Sequence, residues 1–279
     1  MSVSELQAEH ALDAGTALGE APCWDARGEE LLFVDIEAGS VHGWRPRSGA
    51  RWRVDAGQAA SFVVPRASGG WVVGLADGIG VLARVDGPIE PLVPFLAERP
   101  ELRMNDGACD AAGVLWAGSS STRGEREHAA LYRVDASRRV HTVFDRVTTS
   151  NGIGWSPDGT RMYYADTGSG RVDVIAGGLR APFVVVPPER GRPDGLAVDA
   201  EGGVWVALWG GGAVERYAPS AELTARACVP APLTTSCCFG GSGLETLFVT
   251  TAGSCGRGGG ALYAVAPGVR GLPAHAYAG

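Results

Sequence analysis

The chain contains no lysine: all 24 of its basic residues are arginines. A Schiff-base lysine and a P-loop lysine are therefore excluded, and two large mechanistic classes go with them. Histidine is scarce. The five, at positions 10, 42, 128, 141 and 275, form neither an HxH nor an HExxH pair and read as surface or supporting residues. Long apolar runs are missing too. The stretch 183–188 is among the longest, far short of the roughly 18 residues that cross a bilayer, so no membrane partner is expected. The six cysteines (23, 109, 228, 237, 238 and 255) include no CxxC pair, and residues 1–10 carry no basic and apolar leader. Reduced thiols, buried as small hydrophobes, and a cytoplasmic location are the expectation. There is no G-x-S-x-G elbow, and the glycine-rich stretch 256–260 follows no strand–helix–strand pattern, which leaves a serine hydrolase and a dinucleotide enzyme unsupported. With a net charge of −7 the chain lacks the basic footprint of a nucleic-acid partner.

Turn residues are abundant: 42 glycines and 17 prolines among 279 residues, in a chain that is 45% hydrophobic and 20% charged. That composition suits a soluble globular protein with a sizeable core. A turn followed by a short apolar strand recurs at 23–35, 64–74, 109–118, 155–166, 198–207 and 238–250. With Asp25, Ser68, Asp110, Asp158, Asp199 and Gly241 as equivalent points, the intervals are 43, 42, 48, 41 and 42 residues. A further short strand follows each copy. Six all-strand units of 40–50 residues predict a six-bladed β-propeller, all-β, with four-stranded antiparallel blades around a central channel. The chain is expected to form one domain over 1–279.

The residues just before each repeated turn belong to the innermost strand of a blade, so equivalent positions face one another around the channel. Glu20, Asn105 and Asp194 each lie five residues before their anchor aspartate, while Arg103 and Asn151 lie seven before theirs. These five are predicted to converge at one mouth. Glycine or another small residue follows several of them, which leaves room for a ligand to approach the backbone. Two carboxylates at the axis need neutralising, and a divalent cation is the simplest neutraliser. Glu20, Asn151 and Asp194 offer hard oxygen donors that suit Ca²⁺, Mg²⁺ or Mn²⁺; Zn²⁺ and Fe(II) also bind carboxylate sites. Trp24, Trp116, Trp155, Trp205 and Trp209 could stack on a sugar, but most are expected to pack in the core.

From Leu18 onward the chain resembles the SMP-30/gluconolactonase family. The resemblance is carried by Gly19–Asp25, the segments 103–107, 150–152 and 193–195, and further stretches at 199–207, 234–241 and 277–279. It implies a six-bladed propeller with one divalent cation at the channel mouth that hydrolyses aldonolactones. It also implies cation ligands at Glu20, Asn151 and Asp194, an acid/base role for Asp194, and substrate contacts from Arg103 and Asn105. Where the family has a substrate-contacting glutamate in the loop after 117–118, this chain has Arg123, with Glu125 or Glu127 as the candidate replacement.

The expected activity is hydrolysis of a sugar lactone, the cation polarising the carbonyl and Asp194 moving the proton. Two alternatives belong to other classes: a non-catalytic propeller that binds calcium or a protein partner, and a related hydrolase of aryl esters or organophosphates.

Overall fold

The computed structural model describes residues 3–253 and 258–279; Cys255 and part of the 256–260 stretch lie outside them. Six four-stranded antiparallel arrays follow one another along the chain. Their innermost strands are Gly19–Asp25, Ala60–Pro65, Leu102–Cys109, Ser150–Trp155, Arg192–Val198 and Thr234–Gly240. Each pairs with the strand that follows its repeated turn, and two more strands complete the blade outward. The six-bladed propeller expected from the repeat is the observed architecture.

The second strands explain why the blades stack. Glu30–Asp35 is buried throughout, and Val204–Trp209 is buried except at its last residue. A strand covered on both faces by neighbouring blades reads as a continuous apolar run rather than an alternating one. The repeated aspartates lock the hairpins between first and second strands. Asp199 Oδ1 accepts the Glu201 and Gly203 amides at 3.0 and 2.8 Å, and Oδ2 accepts Trp205 Nε1 at 2.9 Å. Asp110 does the same with the Ala112 and Val114 amides and Trp116 Nε1. These two tryptophans therefore serve the hairpins, in line with core packing.

The ring closes through contacts that a repeat count leaves out. The fourth strand of the last blade is the N-terminal Glu9–Leu12, antiparallel to Leu262–Val265, while Ser4–Gln7 runs parallel to Leu223–Cys228 as a fifth strand of the fifth blade. The C-terminal tail crosses the end of the channel where the inner strands finish. Tyr277 is fully buried there, exchanging backbone hydrogen bonds with Pro65 and Ala67 and donating its hydroxyl to Asp135 O at 2.7 Å. Cys23, Cys109, Cys228, Cys237 and Cys238 are free, and burial pushes the Cys23 thiol up to about 12 and raises Cys109, Cys237 and Cys238. These four raised thiols are inert packing groups. Among the described residues no helix is long and apolar enough to cross a membrane.

Candidate functional site

Every inner strand loses register with its neighbour near its N-terminal end. The breaks fall between Glu20 and Cys23, Ala60 and Phe62, Met104 and Gly107, Ser150 and Ile153, Pro193 and Leu196, and Thr234 and Ser236. A bulge bends a strand and redirects the side chains it carries. Six bulges at one level make a ring, and Glu20, Asn105, Asp106, Asn151 and Asp194 stand on it, all buried. The backbone is strained at the first of them: Ala21 has φ +44°, a left-handed conformation that disfavours an alanine, and its amide donates to Glu20 Oε2 at 2.9 Å.

Four of the five residues expected at the mouth are thus brought together, and the fifth, Arg103, lies half-buried beside them. Its Nη1 donates to Met104 O and to Asn105 Oδ1, both at 2.8 Å, while Asn105 Nδ2 donates to Ser150 O at 2.9 Å. Asn105 therefore fastens Arg103 to the next blade. Asn151 Nδ2 donates to Thr167 Oγ1 at 2.9 Å, which turns its carbonyl oxygen away from Thr167. Two buried aspartates hold the segments that lead into Glu20 and Asn151. Asp35 accepts the Ala17, Leu18 and Ala38 amides; Asp166 accepts those of Thr148, Thr149 and Gly168.

Asp106 was missed by the sequence reading. Consecutive residues of a regular strand point to opposite faces, so the neighbour of Asn105 should face away from it. The bulge removes that alternation, and Asp106 is buried on the ring with Glu20 and Asp194, its charge acting on both. Burial, reinforced by Asp106, pushes Glu20 up to about 8. Asp194 is raised well above the carboxylate range by burial, then by Glu20 and Asp106, and burial lifts Asp106 itself to about 6. Burial lowers Arg103, against the opposing pull of Glu20, Glu37 and Asp194.

Asn151 Oδ1 and Asp194 Oδ1 are buried without a hydrogen-bond partner among the described residues. Unpaired oxygens at low dielectric are costly, and a bound cation satisfies both. Three carboxylates and one guanidinium leave a formal charge of minus two, which a divalent ion balances. Among the described residues no three His, Cys, Asp or Glu side chains gather as a metal-binding group, so the donors that fit are Glu20, Asn151 and Asp194, two carboxylates and an amide.

Other expectations resolve differently. The glycines after Asp106, Asn151 and Asp194 make room for the neighbouring blade instead of a ligand. A Cβ on Gly107 would meet the Phe62 ring at 2.8 Å, one on Gly152 would meet Asp194 O at 2.7 Å, and one on Gly195 would overlap Ser236. Glu127 is paired with Arg146 at 2.8 Å and Glu125 with Ser121 Oγ at 3.4 Å, both on an exposed loop, where Arg123 is exposed as well. Of the five tryptophans, Trp209 pairs with Arg192 at the mouth end, while Trp24, Trp116, Trp155 and Trp205 lie toward the other end of their blades.

The sequence model of the SMP-30/Gluconolactonase/LRE-like region matches residues 18–253. The chain belongs to this family. It is 32% identical over 248 residues to YvrE of Bacillus subtilis (strain 168), provisionally named a sugar lactone lactonase, covering 86% of this chain and 85% of that one. To the regucalcin of Danio rerio it is 33% identical over 260 residues, covering 90% and 88%. The solved structure of a regucalcin from Agrobacterium tumefaciens str. C58, described as a calcium-binding protein, superposes with a TM-score of 0.93 at 24% identity over 99% of both chains. That likeness establishes the shared fold. In family terms, the matched region takes in the whole ring of bulges, from Glu20 to Thr235.

Proposed function

We propose that this chain is a divalent-cation-dependent hydrolase that opens the ring of a sugar lactone of the aldonolactone class. The observation that carries the reading is the pair of unpartnered buried oxygens, Asn151 Oδ1 and Asp194 Oδ1, on a ring that also holds Glu20, in a member of this family. Glu20, Asn151 and Asp194 would hold the cation. Once bound, it supplies Lewis-acid polarisation of the lactone carbonyl and offsets the negative charge that develops there.

The chain's own groups do the rest. Arg103 is anchored through Nη1, has no partner at Nε or Nη2 among the described residues, and would turn these to substrate oxygens, adding a fixed positive charge where an oxyanion grows. Asn105 sets the guanidinium in place, its amide being engaged on both sides. The Asp194 carboxylate oxygen that does not hold the cation takes a proton from water as the water oxygen bonds to the carbonyl carbon. When the ring C–O bond breaks, the same oxygen returns the proton to the ring oxygen, giving the hydroxy acid. Burial keeps bulk water from competing for that proton.

The test is acid release from glucono-, galactono-, xylono- and arabinonolactone by EDTA-treated protein, with each divalent cation added back. Turnover restored by a cation and missing in Asp194→Ala supports the reading. Cation binding without turnover on any lactone points to the non-catalytic alternative, and turnover on aryl esters alone points to the esterase alternative.

A further inference from the structure

Asp106 shares the bulge of Leu102–Cys109 with Asn105, buried on the same ring as Glu20 and Asp194, and does not gather with them into a ligand group among the described residues. Its Oδ1 accepts the Gly107 amide at 2.7 Å. It also lines a cavity of about 770 Å³ that opens toward the opposite end of the channel, walled in part by the C-terminal residues 272–275. Asp106 therefore stands between the mouth and the space beneath it. Arg103 acts on Glu20 and Asp194, whereas Asp106 is stabilised by the Gly107 amide.

We infer that Asp106 is the charge-balancing residue of the cation site: it binds no cation directly, but sets how much positive charge the ring accepts. This rests on the cation reading above. Glu20, Asp106, Asp194 and Arg103 together carry a formal minus two, matched to one divalent ion. With Asp106 neutral the ring carries minus one, and a divalent ion then leaves an uncompensated positive charge in a buried site, which is costly. The same carboxylate is a liability without the cation, because its charge opposes ionisation of Glu20 and Asp194 on the same buried ring. Removing its charge moves two quantities in opposite directions. Cation affinity falls, and the cation-free protein gains stability. A residue that only holds the strand through Gly107 moves them otherwise, since its loss lowers stability and leaves affinity alone.

The experiment is calorimetric titration of the EDTA-treated full chain with CaCl₂ and MnCl₂ at pH 8, alongside thermal melting in EDTA. Asp106→Asn is expected to weaken binding about tenfold or more and to raise the cation-free Tm by roughly a few degrees. Asp106→Ser, a second neutral replacement, should do the same, and Asp106→Glu should keep binding within about threefold of wild type. Unchanged affinity in the neutral variants, or a lowered cation-free Tm, overturns the inference. Wild type and Asp194→Ala separate the two levels. Wild-type binding abolished by Asp194→Ala upholds the cation reading whatever Asp106 does, while no binding by wild type overturns both.

Discussion

Thr167 ties the Asn151 side chain to the backbone that carries Asp194. Its hydroxyl accepts from Asn151 Nδ2 at 2.9 Å and donates to Pro193 O at 2.8 Å, joining two adjacent blades at the ring. One hydroxyl thus decides which way the Asn151 carbonyl points and how far it stands from the neighbouring strand. Replacing Thr167 with Val keeps the shape and removes both bonds. Cation affinity, read by titration calorimetry, should fall by about tenfold, with a stability loss of about 1–2 kcal/mol. Thr167→Ser should retain most of both.

Gly152 is the second link between those blades. A Cβ there would sit 2.7 Å from Asp194 O and 2.8 Å from Leu196 N, both backbone atoms that cannot swing aside. Gly152→Ala should force the fourth and fifth blades apart between Asn151 and Asp194. We expect a stability loss of about 1–3 kcal/mol by denaturant unfolding and a cation affinity reduced by more than that loss explains. Unfolding that changes with wild-type binding retained would show that the blade spacing does not set the ligand spacing.

The acidic ring makes the cation-free protein sensitive to alkali. Glu20 moves from its ordinary 4.5 up to about 8 and Asp106 from 3.8 up to about 6, burial being the leading cause in each. The folded state therefore holds protons that the unfolded chain has already released, so stability falls as pH rises. The contribution is intact below about pH 4 and is lost progressively up to about pH 8. Melting in EDTA should give a Tm that declines from pH 5.5 to 8.5, and Glu20→Gln should flatten the decline. Saturating CaCl₂ should restore stability at pH 8.5 far more than at pH 5.5, since binding displaces those protons. A Tm that rises with pH in EDTA would contradict the assignment.

The repeated turn aspartates carry unequal weight. Asp199 is fully buried and takes four hydrogen bonds, from the Glu201 and Gly203 amides, Trp205 Nε1 and Arg216 Nε. Asp158 occupies the same place in the fourth blade but is exposed, bound to Ser156 and Thr160. Asp199→Ala should cost about 3 kcal/mol or more, because it strands buried donors and a guanidinium. Asp158→Ala should cost about 1 kcal/mol or less. Chemical denaturation of the two variants side by side measures the difference.

By itself the sequence determined the blade count and the members of the mouth. Both follow from a local pattern, a turn and a strand recurring every 41 to 48 residues, and positions equivalent in a closed repeat must face one another. Glu20, Asn105, Asn151 and Asp194 were legible for that reason, though the strands carrying them span most of the chain. Tertiary structure alone decided the rest. The six bulges are register breaks, and register is a relation between two strands that neither encodes singly. Hence Asp106, invisible to an alternating pattern, joins the ring, and the glycines thought to admit a ligand are filled by the next blade. The closing strand Glu9–Leu12 and the Thr167 bridge likewise depend on which distant segments come together when the ring shuts. No short stretch of sequence contains both sides of such a contact.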